Sequence, residues 1–167
     1  YINGLAARGI LSGVGEGIFE PNRNVTREEF TKMIIAAFDL FDASATCDFA
    51  DVPSDAWYYP YVASAAQLGI VNGIGDGQFG VGQQITRQDM ATIAKRAADV
   101  AGKTLRKTTE IAAFADDADI AAYAKENITV MQMAGILSGM GENRFEPQGS
   151  ATRAQAAKVI YMLFAAR

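Results

Sequence analysis

Three arginines carry the first chemical signal in this chain. Arg27, Arg87 and Arg153 each follow a threonine, in the tetrapeptides TREE, TRQD and TRAQ. Thr26, Thr86 and Thr152 stand three residues ahead of Glu29, Asp89 and Gln155. That spacing marks a helix start: the hydroxyl accepts from the third backbone N–H, and the third side chain reaches back to the cap. Asp89 is a shorter substitute, with a weaker hold on the return bond. A cap of this kind contributes about 1 kcal/mol per helix. It accounts for the Thr and the acid or amide, but not for the Arg. At the first helical position the dipole is positive, and a cation there is disfavoured by about 0.3–1 kcal/mol. Two causes stay open. One is an ion pair with a neighbouring repeat's acid, such as Asp51 or Asp116. The other is an anionic ligand, gripped by the guanidinium together with helix N-terminal and glycine-loop N–H groups.

Other chemistries fare worse. The 167 residues include no His, which removes the commonest general base and metal ligand. The single Cys, Cys47, allows no intramolecular disulfide and reads as a small buried or linker residue. The loops hold one or two acids each (Glu16 and Glu20, or Asp76), without the ligand spacing of a calcium loop. The phosphate-binding pattern GxxxxGK[ST] is absent. No nucleophile stands beside a plausible base. The expectation is a non-catalytic chain without metal or cofactor. Fifteen Lys and Arg against 19 Asp and Glu leave a net charge of −4, which argues against nucleic acid as partner. No apolar run approaches the roughly 18–20 residues of a membrane span, and no signal-peptide pattern is visible.

The arginines sit in three copies of one unit. GILSGVGEGIFEPNRNVTREEF (9–30), GIVNGIGDGQFGVGQQITRQDM (69–90) and GILSGMGENRFEPQGSATRAQA (135–156) align without gaps. Upstream, copy two carries FADV (49–52) and Trp57, and copy three carries FADD (114–117) and Tyr123. Copy one lacks this lead-in, so the chain is expected to start partway into its first unit. The repeats are placed at about 1–42, 48–102 and 113–167, with a polar linker around Lys103 to Glu110. Each unit reads as helix, glycine loop, helix. Phe30, Met33, Ile34, Ala37, Phe38 and Phe41 form one apolar stripe of helical period. Met90, Ile93, Ala94 and Ala97 repeat it, as do Ala156, Val159, Ile160, Leu163 and Phe164. First helices are expected over Trp57 to Leu68 and Ile120 to Ala134. Three equivalent stripes can bury one another, which predicts an all-α, pseudo-threefold bundle. Each loop reads as a compact turn pinned by its Phe: Phe19, Phe79 or Phe145.

The order FxDV, Trp, GI-x-x-G-x-G-[DE]-G-x-F, [IV]TRxE resembles the S-layer homology (SLH) domain across essentially the whole chain. That resemblance implies three helix-loop-helix repeats in a three-pronged spindle around a central three-helix bundle. It implies a bacterial, extracellular module that tethers surface proteins to the cell wall. The implied partner is an anionic cell-wall polysaccharide, a secondary cell wall polymer ending in pyruvylated N-acetylmannosamine. The ligand-binding residues it implies are Arg27, Arg87 and Arg153 with the loop glycines Gly13, Gly15, Gly73, Gly75, Gly139 and Gly141, and Asp51 and Trp57 besides. Trp57 itself is read as half-buried packing before a sugar platform. Copy three departs from the pattern at FADD, at Tyr123 and at Asn143, which replaces the glycine found at Gly17 and Gly77. Unequal grooves are therefore expected. Two other readings stand beside this one: a self-assembly or protein–protein module, and a tether to peptidoglycan itself. Replacing Arg87 with Ala is expected to weaken sugar binding with helix content intact.

Overall fold

The computed structural model describes residues 2–6, 10, 18–108 and 110–166. Among them the chain is helical, with no named strand. The helices are α1 (Ile2–Ala6), α2 (Arg27–Ala37), α3 (Tyr59–Gln67), α4 (Arg87–Val100), α5 (Ala122–Met133) and α6 (Arg153–Ala165), with one 3-10 turn at Asp117–Asp119. No helix among the described residues is long and apolar enough to cross a membrane.

The second helices start where their capping sequences put them. Thr26, Thr86 and Thr152 each accept from the backbone N–H three residues on. The helix α2 ends earlier than its apolar stripe. Asp39 adopts φ +55°, which breaks the helical path, and Phe41 lies beyond it, 46% exposed. The first helices also begin later than expected, at Tyr59 and Ala122. Pro60 lies in the first turn of α3, where its missing N–H has no helical partner to lose.

The helices α2, α4 and α6 each pack against the other two. Phe30, Ile34, Met90, Ala94, Ala97, Ala156 and Ile160 are all buried there or nearby in one hydrophobic core. Each fully buried large side chain contributes about 1.5–3 kcal/mol. The remaining pairings cross repeat boundaries. The helix α3 packs on α2, α5 on α4, and α1 on α6. A first helix therefore covers the second helix of the preceding repeat, and α1 covers the last. The units of sequence are not the units of packing.

Backbone bonds follow the same cyclic order. Val25 N–H donates to the Ala151 carbonyl, Ala151 N–H to Ile85, and Ile85 N–H to Val25, each at 3.0 Å. This ring of three buried residues ties the loops together just ahead of the three caps. Isolated antiparallel bridges flank it: Asn24 with Thr152, Thr26 with Gln84, and Thr86 with Ser150. The first amide of each second helix is also used across repeats. Arg27 N–H donates to Gln83 at 3.0 Å, Arg87 N–H to Gly149 at 2.8 Å and Arg153 N–H to Arg23 at 2.9 Å.

Candidate functional site

The expected anion site combined an Arg, helix N-terminal amides and glycine-loop amides. The helix amides drop out, because the first one of α2, α4 and α6 already donates to a neighbouring loop carbonyl. The next one is spent too in α4 (Gln88 to Pro147) and in α6 (Ala154 to Pro21). At α4 and α6 this leaves an anion to side chains and loop amides.

The arginines are buried, and each reaches into the next repeat's loop. Arg27 Nε donates to the Phe79 carbonyl at 2.9 Å, Arg87 Nε to Phe145 at 2.7 Å, and Arg153 Nε to Phe19 at 2.9 Å. Each guanidinium carbon also lies over the ring of the same Phe, at 5.2, 4.8 and 4.7 Å. A desolvated cation over an aromatic face contributes roughly 1–2 kcal/mol. The guanidinium leaves the positive end of its own helix and stacks on the next loop. The Arg thus has a structural task that its position in the sequence did not reveal.

The acids expected to pair with these arginines do something else. Asp51 accepts from the amides of Phe79, Gly80 and Val81 at 2.7, 2.7 and 2.9 Å. Asp116 accepts from Phe145 at 2.7 Å and Glu146 at 2.8 Å. Burial works against both charges, but the backbone donors outweigh it and hold both carboxyls below their usual range. The acid of the FxD lead-in therefore shapes the loop that presents the Phe carbonyl to the Arg. The only acid within ion-pair distance of an inter-repeat Arg is Asp89, at 2.7 Å from Arg27 Nη1, among the described residues.

Two cavities open beside the arginines. The first, about 380 Å³, is lined by Arg27, Gly73, Ile74, Asp89, Arg96 and Tyr123, among others. The second, about 150 Å³, is lined by Arg87, Ser138, Gly139, Met140, Gln155 and Lys158, among others. They occupy equivalent places: the Arg of one repeat faces the glycine loop and second helix of the next. Gly73 lines the first cavity and Gly139 the second, and their N–H groups donate to no described group. Gly73 adopts φ +76°, and a Cβ there would sit 2.4 Å from the Gln78 carbonyl oxygen. Gly75 and Gly141 instead shape the turns, each accepting from the residue three positions on: Gln78 at 2.9 Å and Arg144 at 2.8 Å. Gly13 and Gly15 lie outside the described residues, so the loop facing Arg153 is not described.

Asp51 and Trp57 line neither cavity. Trp57 is 55% exposed, edge-on to Tyr58 at 5.2 Å, with the Lys32 ammonium 5.4 Å from its ring centre. It is more open than the half-buried packing expected of it. Tyr123, its counterpart, does reach a cavity. Its hydroxyl donates to Asp89 Oδ1 at 2.5 Å and accepts from Gln88 Nε2 at 3.1 Å. Burial and the Asp89 bond push its pKa up to about 12. Lys158, Arg96 and Tyr123 were not singled out as site residues, and only the linings of the two described cavities bring them forward.

The Arg87 cavity is the more cationic. Arg87 and Lys158 line it with no acid, and Lys158 forms no ion pair among the described residues. Arg87 gives Nη2 to the Ser138 carbonyl at 3.2 Å, and among the described residues no acid lies within ion-pair distance of it. Burial pushes the Arg87 pKa down, against the opposing pull of Glu146 and Asp116.

The S-layer homology domain model matches residues 1–31, 48–91 and 113–157. The relatives include an amylopullulanase of Thermoanaerobacterium thermosulfurigenes, 36% identical over 95% of this chain and 8% of its own length. An exoglucanase, XynX, of Acetivibrio thermocellus is 35% identical over 95% of this chain and 14% of its own. The S-layer protein sap of Bacillus anthracis is 31% identical over 95% and 19%. The chain thus spans less than a fifth of each of these proteins. Two of these names are those of enzymes and the third is that of an S-layer protein.

Proposed function

The chain belongs to the S-layer homology domain family, and from that premise we propose that it is a non-catalytic module anchoring a surface protein to a bacterial cell wall. Its ligand in this reading is an anionic secondary cell wall polymer, ending in pyruvylated N-acetylmannosamine. The three repeats form a three-pronged spindle, and the sugar enters the grooves between them. The observation that carries the reading is the Arg87 cavity. It offers a guanidinium, an ammonium and the unused Gly139 N–H, with no acid in its lining. A ketal-linked pyruvate is a carboxylate, and charge-assisted donors of this kind are its natural partners. Arg87 binds the carboxylate and Lys158 adds charge. Asp51 and Asp116 act behind the site, fixing the loops.

Sedimentation with purified wall sacculi tests the reading. The chain is expected to co-sediment with intact sacculi and to stay in solution once the non-peptidoglycan polymer has been stripped chemically. Undiminished binding to stripped sacculi would transfer the ligand to peptidoglycan.

A further inference from the structure

The two cavities differ at the third helical position behind the capping Thr, which is Asp89 in the first and Gln155 in the second. In α2 and α6 the third side chain turns back to its own cap: Thr26 N–H donates to Glu29 Oε2 and Thr152 N–H to Gln155 Oε1, both at 3.0 Å. Asp89 is too short for that return. The cap of α4 has only the bond from the Asp89 amide to the Thr86 hydroxyl. The carboxylate released from this duty turns into the first cavity. Its Oδ2 accepts from Arg27 Nη1 at 2.7 Å and its Oδ1 from the Tyr123 hydroxyl at 2.5 Å. Arg27, Asp89 and Tyr123 come from three different repeats, and the bonds between them offset the charge of Arg27.

We infer that Asp89 is the chain's own stand-in for a ligand carboxylate: it occupies Arg27 and silences that groove toward anions, leaving the Arg87 groove as the anion site of the two described cavities. The inference rests on the proposed function, since it concerns which groove receives the charged end of the glycan. An external carboxylate entering the first cavity must displace Asp89 from Arg27 or lie beside it as a like charge. At the second cavity the corresponding residue is Gln155, neutral and bonded back to its cap, so Arg87 meets no internal competitor. Arg96 lines the first cavity as well, but Asp89 leaves it one net positive charge, against two at the second.

The test is amide chemical-shift mapping with the methyl glycoside of pyruvylated N-acetylmannosamine, on the unmodified chain and on Asp89→Asn and Asp89→Glu. The unmodified chain is expected to respond at Gly139 and not at Gly73. Asp89→Asn removes the competing charge. Asp89→Glu keeps the charge but restores the length needed to bond the Thr86 amide, and with it a full capping box, so it serves as the well-folded second variant. Both are expected to gain a response at Gly73, with affinity there rising roughly tenfold, or about 1.4 kcal/mol. Equal response at Gly73 and Gly139 in the unmodified chain would overturn the inference and leave the proposed function standing. So would variants that still respond only at Gly139. Silence at every glycine in all three proteins would overturn the proposed function, and the inference with it.

Discussion

Arg87 Nε and the Phe145 carbonyl oxygen are 2.7 Å apart, with the guanidinium carbon 4.8 Å from the centre of the same residue's ring. One side chain thus holds the next repeat's loop by both its backbone and its aromatic face. Because the pattern recurs from Arg27 to Phe79 and from Arg153 to Phe19, the three repeats are fastened in a ring. The same cation borders a cavity, so its removal is expected to act on stability and binding together.

Arg87→Ala is expected to lower stability by about 2–3 kcal/mol, the scale of a buried charged hydrogen bond with its ring contact. Helix content is retained and the urea midpoint falls. Arg87→Lys rescues little, because an ammonium cannot reproduce the Nε contact and the planar stack together. A midpoint unchanged in Arg87→Ala would refute the pinning role.

Acid is expected to loosen the loops first. Asp51 and Asp116 have folded-state pKa values below the unfolded value of about 3.9. Their contribution is complete above about pH 4 and is lost as pH falls through the lowered folded values. With no His in the chain, stability stays nearly flat from about pH 5 to 8 apart from the amino terminus. Asp116→Asn presents an N–H to backbone N–H donors. It is expected to destabilise by about 1–3 kcal/mol at neutral pH and to flatten the acid limb followed by circular dichroism.

The glycines should separate by what surrounds them. Gly73→Ala drives a Cβ to within 2.4 Å of the Gln78 carbonyl oxygen and 2.8 Å of the Phe49 ring at φ +76°. It is expected to cost about 2–4 kcal/mol and to disturb the first cavity. Gly77→Asn is expected to be nearly neutral, within about 0.5 kcal/mol. Nothing lies within 4 Å of a Cβ there, and copy three already places Asn143 at the equivalent position with φ +53°. Thermal melts of the two variants check the contrast.

Hydrogen exchange tests the loop ring. The amides of Val25, Ile85 and Ala151 bond in a closed cycle at the centre of the repeats. They are expected to exchange only through global unfolding. Exchange at loop-like rates would show that the ring opens locally.

Much of this was legible from residue types. The Thr caps located three helix starts, and the apolar stripes named the core faces that α2, α4 and α6 bury against one another. Asp89 was legible as a shorter substitute with a weaker return bond, but not as the partner of Arg27. What could not be read were the partners. A stripe says that a helix needs cover but not which repeat supplies it, so the exchange of first helices between repeats was invisible. The target of each Arg was hidden for a related reason. It is the carbonyl of Phe79, Phe145 or Phe19, and every residue carries that group. Asp51 was legible as an acid in a recurring motif, but its use on three loop amides depends on a turn formed by residues 28–30 positions away.

The most direct test of the account is calorimetric titration of the chain with the methyl glycoside of pyruvylated N-acetylmannosamine, in parallel with its uncharged methyl ester. Binding of the acid, with loss of at least about tenfold in affinity for the ester and comparable loss for the acid in Arg87→Ala, is the predicted result. Equal affinity for acid and ester, or no heat from either, would contradict the claim that a buried guanidinium at an inter-repeat groove holds a glycan carboxylate.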